Sequence, residues 1–118
     1  MDYMGVAAEF KEELLRNLKD EIEAIILYGS VARGEESRES DIDVLVLVKN
    51  KRKEIYDRIS KIRTRTDLKH ATLTSLFIID EKEFRRYVKL GSPFLSTVLK
   101  EGVLLYGGEE FRRGRRFN

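Results

Sequence analysis

The sequence predicts an α/β (α+β) domain, a small mixed β-sheet of three to four strands flanked by helices. Three observations point there. Short apolar runs at residues 22–28, 41–48 and 71–79 read as buried strands. The segments between them carry apolar residues at helical spacing. One proline and 37% charged residues argue for regular elements under a heavily charged surface, and 118 residues suffice for one core.

Taken in order, Phe10, Leu14 and Leu18 recur at helical spacing between Val6 and Lys19, with Glu12 and Arg16 set to pair on the outer face. "IEAIILY" is a buried strand stopped by Gly29, and Ser30 is placed to cap a short helix through Val31, Ala32 and Arg33. "GEESRES" is a polar loop leading to a strand from Asp41 to Val48. A basic helix over 51–66 stacks Ile55, Ile59 and Ile62 on one stripe, and "ATLTSLFII" is the third strand. Asp80 with Glu83 forms a capping-box pattern for a helix that ends near Gly91. Ser92 and Pro93 start another helix, Gly102 stops it, and "VLLY" is a last short strand. Residues 1–108 thus form one domain, and 109–118 are expected to be a basic flexible tail.

Composition excludes several functions. Without cysteine there is no disulfide or thiolate metal site, and the lone His70 cannot build a histidine-rich one, so any metal must be oxygen-bound. No apolar run approaches the roughly 20 residues of a membrane span. The start "MDYMGVAAEFKEELL" is acidic where a secretion signal would be basic, so the cytoplasm is the expected location. The net charge of +2 comes from the tail, since residues 1–108 hold 19 basic and 19 acidic groups. This is not the global excess of a general nucleic-acid binder, although the basic helix and "FRRGRRF" leave RNA as a weaker alternative. Locally the charge is uneven. Five acidic and two basic residues lie between Arg33 and Asp43, against three and nine between Lys49 and Lys69.

The chemistry concentrates at residues 27–48, "LYGSVARGEESRESDIDVLVLV". Side chains alternate along a strand, so Asp41 and Asp43 share a face with α-carbons about 6–7 Å apart. A hard divalent cation such as Mg²⁺ or Mn²⁺ relieves that repulsion. A strand that merely starts in solvent would show the same D-x-D. Gly29-Ser30, at a strand end before a short helix, permits close backbone approach and presents amide donors to a phosphate, or it is simply a capped turn.

Gly29-Ser30, ten intervening residues and Asp41-Ile42-Asp43, within "ILYGSVARGE" and "SDIDVLVLV", resemble the signature of the polymerase-beta-like nucleotidyltransferase superfamily, in particular its minimal single-domain (MNT-type) members. The resemblance implies that Gly29 and Ser30 grip an NTP triphosphate. It implies that Asp41 and Asp43, the catalytic pair, bind Mg²⁺ or Mn²⁺, and that Arg33 faces either the phosphates or the acidic loop. A nucleoside monophosphate, AMP if the NTP is ATP, would pass to an acceptor hydroxyl with release of pyrophosphate. Similar proteins often pair as antitoxins with a small helical HEPN-type protein, and some place AMP on that partner's tyrosine. A homodimer would equally supply acceptor surface. One departure stands out. Similar enzymes carry a third carboxylate on the next strand, whereas 71–79 holds no acid. Thr72, Thr74 or Ser75 would lend at most a hydroxyl, and His70 is a substitute base only if it reaches the site. The alternative is a non-catalytic nucleotide- or partner-binding module of the same fold.

Overall fold

A computed structural model describes residues 1–109. The elements are α1 (Tyr3–Leu18), β1 (Ile22–Tyr28), α2 (Gly29–Arg33), β2 (Ile42–Val48), α3 (Lys53–His70), β3 (Thr74–Asp80), α4 (Glu81–Lys89), α5 (Pro93–Glu101) and β4 (Val103–Gly107). The sheet order is β3-β2-β1-β4, with β2 and β3 parallel and the other pairs antiparallel. It is therefore the mixed, helix-flanked sheet expected. The basic tail expected at 109–118 lies, beyond Glu109, outside the described residues. Among the described residues no helix is long and apolar enough to cross a membrane.

Both faces of the sheet are covered, which is why β2 reads as an unbroken apolar run. Val44, Val46 and Val48 pack against Phe10 and Leu14 of α1 and Ile55 and Ile59 of α3. Leu45 and Leu47 pack against Phe84 of α4 and Leu95 and Val98 of α5. A bulge between Ile22 and Ala24 shifts the register of β1. Ile22 and Ile25 consequently bury on the same face although they stand three positions apart.

Local chemistry sets the element ends. Asp2 caps α1, its Oδ1 accepting from Gly5 N at 2.8 Å, so the helix starts three residues before Val6. On its outer face Arg16 pairs with Glu13 and Glu12 with Lys11, not with each other. The capping box forms as expected: Glu83 N–H donates to Asp80 Oδ1 at 2.8 Å, and Asp80 N–H to Glu83 Oε1 at 3.2 Å. Ser92 caps α5 with Pro93 in its first turn.

The largest difference from expectation lies between α3 and β3. The helix runs on to His70, Ala71 takes a left-handed conformation (φ 55°), and β3 starts only at Thr74. The cause is one side chain. Asp67 accepts from Thr72 Oγ1 (2.8 Å), Thr74 Oγ1 (2.8 Å) and Thr74 N (2.9 Å), tying both threonines back to the last helical turn. The β-branched residues that suggest an early strand start are instead bound to a helix end. Arg63 donates to Thr74 O at 3.1 Å, so α3 side chains occupy both outward-facing backbone groups at the start of this edge strand.

Candidate active site

The strand pairing converges on one corner. Tyr28, the last residue of β1, lies opposite Asp43, and Asp43 lies beside Ser75. Immediately after Tyr28 the chain turns at Gly29, whose φ of +75° favours glycine. Space demands glycine too, because a Cβ there would sit 2.1 Å from Asp43 Oδ2. The bend and the carboxylate are thus in direct contact, which local sequence cannot reveal. Helix α2 begins at Gly29 with Tyr28 as its N-cap and no side-chain cap, so Ser30 is not the cap expected. Its hydroxyl instead bonds Ser40 Oγ at 3.2 Å, and Ser40 Oγ accepts from Ser37 N at 2.8 Å. Ser30 thereby anchors the loop that delivers Asp41. Ser40 is a contributor that sequence reasoning missed, hidden inside a polar loop without a pattern.

Asp41 lies just before β2 and is exposed, while Asp43 is half-buried. The strand starts one residue later than expected, where Ile42 N–H donates to Leu73 O at 2.9 Å. Burial raises the Asp43 pKa above the usual carboxylate range and the neighbouring Asp41 charge raises it further, with Arg33 partly opposing both. Among the described residues neither aspartate has an ion-pair partner. Two crowded oxygen donors, one partly desolvated and in contact with Gly29, suit a hard divalent cation. No group of three or more acidic or histidine side chains fit to hold a metal occurs among the described residues, so the carboxylates here number two.

The substitutes for a third acid sort clearly. Thr72 and Thr74 give their hydroxyls to Asp67. His70 lies 3.0 Å from Glu9 Oε2 on α1, away from the corner. Asp80 is engaged at the far end of β3 as the α4 cap. Ser75 remains, exposed and in register with Asp43. Arg33 turns to the acidic loop, its Nε 2.8 Å from Glu35 Oε1.

An aromatic wall stands on the same face as Asp43. Phe94 of α5 meets Tyr28 edge-on at 5.4 Å and Phe77 at 5.1 Å, and Tyr87 lies 6.4 Å from Phe77. Burial, and next the Asp43 charge, raises the Tyr28 phenol above its ordinary pKa. Phe94 remains 40% exposed. In the sequence Phe94 is one more apolar residue of a helix, and only its spatial neighbours mark it out.

The sequence and the fold have known counterparts. The family model Polymerase beta, Nucleotidyltransferase matches residues 11–111. A Methanocaldococcus jannaschii relative named "Putative protein adenylyltransferase MJ0141" is 42% identical over 107 residues, 87% of this chain and 98% of the relative. A Sulfolobus solfataricus crystal structure described as "a putative nucleotidyltransferase" aligns over 90% of this chain and 81% of its own, with 27% identity and a TM-score of 0.55. The crystal structure of a toxin-antitoxin with AMP-PNP shares the fold with a TM-score of 0.60 at 20% identity, covering 90% of this chain and 77% of that one. The family-model match over residues 11–111, the 42% identical relative and the mixed sheet place this chain in the polymerase-beta nucleotidyltransferase family.

Proposed function

We propose that this chain transfers a nucleoside monophosphate, AMP from ATP, to an acceptor hydroxyl and releases pyrophosphate. The observation that carries the reading is the contact between Gly29 and the Asp43 carboxylate, with 2.1 Å from the position of an added Cβ to Oδ2. It joins a turn able to receive phosphate oxygens to a carboxylate pair able to hold their counter-cation. Gly29 and Ser30 hold the triphosphate, and Asp41 and Asp43 hold Mg²⁺ or Mn²⁺. A bound cation supplies charge neutralisation for the triphosphate and the departing pyrophosphate. Arg33 reaches a phosphate only by exchanging Glu35, and an exposed pair of this kind is held by little.

The acceptor belongs to a protein in this reading. Relatives named for protein adenylyltransfer and toxin-antitoxin structures of the same fold favour a HEPN-type partner. Incubation of the protein with α-labelled ATP, Mg²⁺ or Mn²⁺ and a HEPN-type partner tests this. Label should move to the partner, and Asp41→Asn or Asp43→Asn should abolish transfer.

One observation favours a second reading. Ser75 stands where a third carboxylate would face Asp43, so the fold would also serve as a nucleotide-binding module that regulates its partner without turnover. Saturable ATP binding with no labelled product from any acceptor would establish that module and overturn the enzyme.

A further inference from the structure

We propose that Ser75 occupies the third ligand position of the cation centre and leaves it uncharged, so that Asp41 and Asp43 supply all of the protein's negative charge there. The inference rests on the nucleotidyltransferase reading and goes beyond it by fixing which residue determines cation affinity. Asp43 and Ser75 are cross-strand partners in a parallel pair. Paired residues of adjacent strands point to the same face, about 4.8 Å apart. Alternation puts Ser75 with Phe77, which packs on the α4 and α5 face alongside Leu45. Asp43 shares that face two residues before Leu45.

Every other candidate on or near β3 is excluded by direction or by partner. Thr74 is one residue out of phase, buried, and bonded to Asp67. Thr72 precedes the strand and bonds Asp67 too. Asp80 has the wrong parity and lies five residues along, roughly 16–17 Å at the usual strand rise. Ser75 is exposed, and its hydroxyl has no protein hydrogen-bond partner among the described residues. A serine hydroxyl is neutral at physiological pH and a weaker donor to a hard cation than a carboxylate. The nucleotide must then bring the missing negative charge. The free protein should hold a divalent ion loosely, and the ATP-bound protein should hold it well.

Mn²⁺ alone is the probe, followed by electron paramagnetic resonance and by the melting-temperature rise it induces, on the full chain. Ser75 is exposed, so Ser75→Asp should fold, and circular dichroism verifies it. Ser75→Asp is expected to tighten Mn²⁺ by about tenfold or more and to enlarge the Mn²⁺-dependent rise in melting temperature. Ser75→Asn, similar in size but neutral, should stay within a few-fold of wild type. If wild type binds Mn²⁺ and loses it in Asp43→Asn, yet Ser75→Asp gains nothing, the position is wrong. A gain in Ser75→Asn equal to that in Ser75→Asp would refute the charge argument. If wild type takes up no Mn²⁺ with or without ATP while Ser75→Asp does, the placement of Ser75 stands and the reading of the chain as an active enzyme falls. Should folded Ser75→Asp also bind none, both fall.

Discussion

Asp67 and Asp43 lie on opposite faces of the sheet near the start of β3, and their surroundings could hardly differ more. Asp67 accepts three hydrogen bonds at 2.8–2.9 Å and joins α3 to β3. Asp43 has no salt-bridge partner among the described residues, is crowded by Asp41, and is touched by Gly29, where only a residue without a side chain fits beside it. The difference teaches how to separate a structural acid from a functional one. A carboxylate surrounded by donors stabilises the fold, whereas one crowded by a like charge without a cationic partner costs stability and marks a candidate binding position.

The comparison breaks if neutralising the two acids has the same result. Asp43→Asn should reduce nucleotidyl transfer by a factor of about 10³ or more, in a labelled-ATP assay with the HEPN-type partner. Its melting temperature should stay level or rise, because a partly desolvated charge and its repulsion disappear. Asp67→Ala should do the reverse. Three donors lose their acceptor, and chemical denaturation should read a loss of about 2–4 kcal/mol. Equal destabilisation by both changes would contradict the contrast.

Gly29→Ala sharpens it by introducing strain at the contact itself. A left-handed backbone costs about 1–2 kcal/mol for a non-glycine residue, and the new methyl must displace the Asp43 carboxylate. Denaturation should show that loss, and ATP affinity should fall by more than the stability change alone explains. The smallest effect belongs to Glu9. Hydrogen bonds first from His70 and then from Lys69 hold its pKa below the ordinary carboxylate value. A lowered folded pKa stabilises the fold above the unfolded value and ceases to do so as pH falls through the folded one. Thermal melts of Glu9→Gln should therefore lie slightly below wild type at neutral pH and converge with it in acid or high salt.

Much of the corner was readable in one dimension because its determinants are local. A glycine after an apolar run and aspartates two apart on a strand need only neighbouring residues, and the capping box at Asp80 and Glu83 is likewise contained in four positions. The end of α3 was not readable, because Thr72 and Thr74 look like strand until Asp67 is seen bonding both. Ser75 could not be separated from its neighbours either. Its meaning comes from the parallel register with β2, which depends on a crossover through the whole of α3. Phe94 joined the site through contacts with Tyr28 and Phe77, distant in sequence and adjacent only after folding.

The bonds made by Arg63 and Asp67 to Thr74, and by Glu83 to the Asp80 amide, also bear on how this molecule meets its own kind. An outermost strand normally invites a newcomer to zip alongside it. Here the zip is stopped at both ends, leaving a stretch centred on Leu76 to Ile78 too short to seed a continuous ladder. Copies at high concentration should therefore resist fibrillar growth from this border, and any association along it must proceed through side chains.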